Sequence, residues 1–129
     1  MGNNDKRIEI IIKYFKAVDS KNLDAISLLF DQEVEIFFPQ SGLLNGLGEF
    51  NKLNQELTNF ITSLEHDIDN FIYTISDSRI VVEGTESGTL RNNQSFTNNK
   101  FCSVFEIDSI SMLIKRMYVY TDPTFGTSR

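Results

Sequence analysis

GLGEFNKLNQELTNFITSL, residues 46–64, is the stretch whose reading decides the fold. Phe50, Leu53, Leu57, Phe60 and Leu64 recur at intervals of three and four, which puts one apolar stripe on one face of a helix. Beyond it the apolar period falls to two. Strands are expected over about 65–76, 79–90, 95–108 and 111–121, with turns at Asp77-Ser78, Asn92-Asn93 and Ser109-Ile110. Before it the sequence is helical again. Ile8, Ile11, Ile12, Phe15 and Val18 form the apolar face of a helix over about 5–19, with Tyr14 at its flank. Asn22 can cap a second helix that runs to about Phe30. Val34 to Phe38 is a short strand stopped by Pro39, and Gln40 to Gly46 reads as a loop. Helices first and strands afterwards indicate a segregated α+β fold.

The chain has 129 residues, the size of one ordinary domain, with 40% hydrophobic residues and 2 prolines. Eleven phenylalanines and no tryptophan suit an aromatic-lined interior with little polar demand. A net charge of −6 argues against nucleic-acid binding. No apolar run has the length of a membrane span, and the start has no signal-peptide core. Gly2 suggests myristoylation, but Lys6 stands where that signal needs Ser or Thr. Cys102 is the single cysteine and has no internal disulfide partner. These features suit a cytoplasmic protein. One His and one Cys cannot build a His/Cys zinc site, so no metal or other cofactor is expected.

Local segments carry a family resemblance. Lys13-Tyr14-Phe15-Lys16-Ala17, Asn22-Leu23-Asp24-Ala25-Ile26 and Leu29-Phe30 resemble the first two helices of the SnoaL-like and ketosteroid-isomerase-like families of the nuclear transport factor 2-like superfamily. Val34-Glu35-Ile36-Phe37-Phe38-Pro39 resembles their first strand, Gly46 their glycine before the third helix, and Tyr118-Val119-Tyr120-Thr121-Asp122-Pro123 their closing strand. The match spans about residues 8–125 within a single domain of 1–129. It implies a cystatin-like cone: about three N-terminal helices on a curved, mainly antiparallel sheet of four long strands plus a short one. It also implies a pocket for a small apolar molecule.

The superfamily hosts many functions, so function has to come from the site. Ketosteroid isomerase joins an Asp base to an oxyanion hole of Tyr and a protonated Asp. By the resemblance Tyr14 matches the oxyanion-hole tyrosine, whereas Phe38 and Phe101 stand at the two acidic positions. Phenylalanine neither takes nor gives a proton, so that mechanism does not carry over. SnoaL-like cyclases use a late-strand aspartate, which points to Asp122 as acid/base. The alternative for Asp122 is a turn starter before Pro123. His66 is the only histidine. It falls where the third helix gives way to the sheet and is a second acid/base candidate, with Asp67 or Asp69 able to orient its ring. Its alternative is a solvated helix-terminal histidine.

Strand parity extends the set. Phe101, Ser103, Phe105 and Ile107 share one face of their strand. Ile114, Arg116, Tyr118, Tyr120 and Asp122 share one face of the last, which is taken as inward. Glu86 shares parity with Gly84 and Gly88; Arg116 is positioned to pair with it or with an acidic ligand. The expected ligand-binding set is Phe30, Phe38, Phe101, Ser103, Tyr118, Tyr120, Glu86 and Arg116, with Asp122, His66 and Tyr14 as catalytic candidates. Two functions stay open. One is a cofactor-free isomerase, cyclase, dehydratase or hydrolase acting on a small apolar oxygenated molecule. The other is a non-catalytic ligand-binding or dimerisation module. Both faces of the last strand are partly apolar, so a homodimer through the outer sheet face is expected.

Overall fold

The computed structural model describes residues 5–125; Gly2, the residue that raised myristoylation, lies outside them. Helix α1 spans Lys6–Asp19 and is capped by the Asp5 side chain, which accepts from the Arg7 N–H. Helix α2, Leu23–Ser27, is capped by Asn22, as its side-chain oxygen allows. Strand β1 follows at Phe30–Phe38, then β2 at Gly42–Asn45 and helix α3 at Leu47–Phe60. The chain continues through β3 (Ile61–His66), a 3₁₀ turn (Ile68–Asn70), β4 (Ile72–Ser76), β5 (Arg79–Leu90), β6 (Ser95–Ile107) and β7 (Ile114–Thr121). The sheet order is β2-β1-β7-β6-β5-β3, with β4 also paired to β5. β1 runs parallel to β7, while the other pairings are antiparallel. The helices cover one face of this curved sheet. Among the described residues, no helix is long and apolar enough to cross a membrane.

Several boundaries differ from the sequence reading. α2 ends at Ser27, and Phe30 opens β1 instead of closing a helix. Residues 42–45 of the expected loop pair with β1, with Ile36 opposite Leu44. α3 stops at Phe60, and Leu64 belongs to a strand. Long-range pairing overrides the helical period there, because residues 61–66 lie against β5, with Leu64 opposite Gly88. The fit needs that glycine: a Cβ on residue 88 would stand 2.0 Å from the Ser63 carbonyl oxygen. The expected strand over 65–76 is broken by the 3₁₀ turn into two pieces, both paired with β5.

The face of β7 is also corrected. Between the pairs Ile107–Ile114 and Glu106–Arg116 the register shifts by one residue, a β-bulge at Lys115. A one-residue shift moves every later side chain to the opposite face. Ile114, Met117 and Val119 are therefore buried against the helices, and Arg116, Tyr118 and Tyr120 stand on the outer face. The core itself is aromatic: Tyr14, Phe15, Phe30, Phe50, Phe71, Phe101 and Phe105 pack with the aliphatic residues of β1, β5 and β7.

Candidate functional site

The site begins where α1 ends. Asp19 lies one turn beyond Phe15 and two beyond Ile11, so its carboxylate extends the apolar face of the helix. An acidic side chain is electrostatically unfavourable at a helix C-terminus and calls for a compensating cation. His66, the last residue of β3, is the group that meets it. Its backbone N–H donates to Asp19 Oδ2 at 2.8 Å, and ring Nδ1 lies 2.5 Å from Asp19 Oδ1. The other ring nitrogen, Nε2, lies 3.3 Å from Glu86 Oε1. His66 and Glu86 are directly opposed in the β3–β5 register, so their side chains share a face. Glu86 Oε2 accepts from Asn99 Nδ2 at 3.1 Å and from Thr121 Oγ1 at 2.9 Å. A row of polar side chains thus crosses β3, β5, β6 and β7 on the inner face.

The faces of the imidazole are apolar. Phe15 is 4.7 Å away between ring centroids, and Phe101 is 5.3 Å away at 89°. His66 and Glu86 are each 8% exposed. Burial alone would push the His66 pKa down; the hydrogen bonds and charges of Asp19 and Glu86 outweigh it and raise the pKa. Burial alone would push Glu86 up; the His66 hydrogen bond and charge, with the Asn99 and Thr121 hydrogen bonds, hold it below its ordinary value. Each group thus favours the charged form of the other.

A cavity of about 400 Å³ opens on this row, within the range of small-molecule sites. His66, Glu86, Tyr14, Phe38, Phe101 and Ser103 line it. Tyr14 is buried, and its pKa is raised by desolvation and by the Glu86 and Asp19 carboxylates, which keeps it a phenol and hence a hydrogen-bond donor. Ser103 is buried between Phe101 and Phe105 on the inner face of β6.

Other candidates are elsewhere. Phe30 is in the core, 4.7 Å from the Phe50 ring and 5.4 Å from Tyr14, away from the cavity wall. The Asp122 carboxylate turns to its own chain, accepting from the Thr124 N–H at 3.0 Å and the Thr124 hydroxyl at 2.7 Å; Thr121 and Pro123 on either side reach the cavity and Asp122 does not. This is the turn-starting alternative. The bulge in β7 carries the rest away. Arg116 pairs with Glu106 at 3.1 Å, not with Glu86, and stacks 3.8 Å over Tyr118. The Tyr118 hydroxyl donates to Glu35, and Tyr120 is 48% exposed. Asp67 does not orient His66; it accepts from Asn70. Asp19 and Asn99, which hold the row together, were missed by the sequence reading.

A family model described as a SnoaL-like domain matches residues 11–117, most of the chain. The chain belongs to the SnoaL-like family. No curated protein sequence matches it. Solved structures share its fold. A candidate polyketide cyclase from Xanthomonas campestris pv. campestris aligns with a TM-score of 0.79 at 17% identity, over 92% of this chain and 93% of that one. An NTF2-like protein of unknown function from Burkholderia pseudomallei gives a TM-score of 0.75 at 18% identity, over 90% of each chain. An LEH-like epoxide hydrolase from M. tuberculosis gives 0.70 at 14% identity, over 90% of this chain and 82% of that one. At these identities the likeness speaks for the fold of this SnoaL-like protein alone.

Proposed function

We propose that this SnoaL-like protein binds a small, mostly apolar, oxygenated molecule and catalyses cofactor-free proton transfer on it. Isomerisation, cyclisation and dehydration are the reaction types that fit. The carrying observation is the buried His66–Glu86 pair on the wall of an apolar cavity. Glu86 takes a proton from an acidic carbon of the ligand. The adjacent His66 ring keeps Glu86 in its carboxylate form before the transfer and links it to the partly exposed Asp19 carboxylate. Tyr14 donates to the ligand oxygen that gains negative charge. Phe38 and Phe101 exclude water and hold the apolar body. That the superfamily likenesses include a candidate polyketide cyclase and an epoxide hydrolase agrees with acid–base work in such a cavity. Asp122 has no part in this proposal, because its carboxylate is engaged with Thr124.

The test is general carbon-acid chemistry. Cyclic ketones and enones, with epoxides and polyketide-like methyl esters alongside, are incubated with the protein in deuterated water. Protein-dependent deuterium uptake at carbons next to a carbonyl is expected, falling about 100-fold or more in Glu86→Gln. Binding without exchange or turnover in any probe would reject catalysis and leave a ligand-binding module.

The outer face supports a homodimer as its partner surface. Phe37 lies 5.6 Å from Tyr118 and 5.7 Å from Tyr120, an aromatic patch facing away from the helices. Analytical ultracentrifugation at micromolar concentration should give twice the chain mass; a clean monomer would end this part of the proposal.

A further inference from the structure

The cavity has a second polar point, on its helical side. Asn54 lies on α3, four residues after Phe50 and seven after Leu47, within the buried stripe of that helix. An apolar residue would suit such a position better. Asn54 is only 7% exposed, and its Nδ2 is buried with no hydrogen-bond partner among the described residues. Its backbone carbonyl accepts from Thr58 Oγ1, but that bond does not engage the amide. An unpaired buried amide costs stability, and Asn is a poor mid-helix residue. Asn54 also lines the cavity that His66 and Glu86 reach from the sheet.

We infer that Asn54 is a specificity-determining residue that hydrogen-bonds an oxygen of the ligand at the α3 wall, while another part of the same molecule meets Glu86. The ligand class is then a compact apolar molecule with two separated oxygen functions, such as a bicyclic diketone or hydroxyketone. The amide donates to a carbonyl or accepts from a hydroxyl, so either oxygen type satisfies it. This inference rests on the acid–base reading only for the identity of the second end.

The probes are decalone and decalindione, which share a carbon skeleton and differ in one carbonyl. Calorimetric titration of the wild-type protein should show the diketone binding about tenfold more tightly. Asn54→Leu, with the same number and branching of side-chain heavy atoms and a better helix former, should bind both probes equally. It should also melt at a higher temperature than wild type, which shows that it folds. A diketone preference that survives Asn54→Leu, or is missing from the wild type, overturns the inference. Failure of the acid–base reading looks different: the diketone preference depends on Asn54, yet no probe exchanges deuterium. A wild-type protein that binds neither probe overturns both.

Discussion

Two rows of polar and charged side chains cross β5, β6 and β7 on opposite faces. The inner row runs Asp19–His66–Glu86–Asn99–Thr121. The outer row runs Arg79–Glu106–Arg116–Tyr118–Glu35. Both use cross-strand neighbours in register, and both join opposite charges. Their surroundings differ. The inner His66 and Glu86 side chains are 6% and 10% exposed, whereas Arg79 on the outer row is 58% exposed. Water screens the outer row and not the inner one. The inner charges therefore depend on one another, and only they have the dry surroundings in which a proton transfer can be controlled.

The largest predicted effect lies on the inner row. His66→Ala leaves the buried Glu86 and the partly buried Asp19 without their cation, and should cost about 3–5 kcal/mol in urea unfolding. A loss below about 1 kcal/mol would make the inner row no different from the outer one. Next is Gly88→Ala. The added methyl meets the Ser63 backbone, not a movable side chain, so β3 must shift away from β5 and carry His66 with it. A loss of about 2–3 kcal/mol is expected from the same measurement, as for an overpacked core.

The pH dependence sharpens the contrast. Glu86 has a lowered pKa, so its contribution to stability is present above its ordinary value of 4.5 and disappears as pH falls through the folded value. His66 has a raised pKa, so its contribution is present below its ordinary value of 6.5 and disappears as pH rises through the folded value. The inner row thus stabilises most between 4.5 and 6.5, and this maximum should flatten in a His66→Gln, Glu86→Gln double variant. Thermal melts across that range check it. The smallest effect is on the outer row. Arg79→Ala should change stability by less than about 1 kcal/mol, with added salt reducing even that. A larger, salt-insensitive loss would mean that the outer row is covered by a partner.

Much of this contrast was legible in the sequence, though not the face on which each residue falls. The helix-first, strand-later order, the Asn22 cap and the inward parity of Phe101 and Ser103 all follow from local pattern. His66 was legible as an acid/base candidate and Glu86 as a ligand-binding one, but not their pairing, since Arg116 was the partner expected for Glu86. The bulge at Lys115 was not, because β7 is apolar on both faces and alternation there gives no preferred register. It moved Arg116, Tyr118 and Tyr120 to the outer row. Asp19 did leave a signal: a carboxylate on the Ile11–Phe15 face, at the helix end where the dipole disfavours it. Its partner lies 47 residues away, and only the folded chain brings the two together.

His66 is held between two carboxylates at the cavity wall, which favours its protonated form. Nitrogen-15 NMR of the labelled imidazole across a pH titration tests it most directly. Both ring nitrogens should carry protons at pH 6.5, with the titration midpoint above 6.5 in the wild type and shifted downward in Glu86→Gln. A midpoint at or below 6.5, or a titration that Glu86→Gln leaves unmoved, would contradict it.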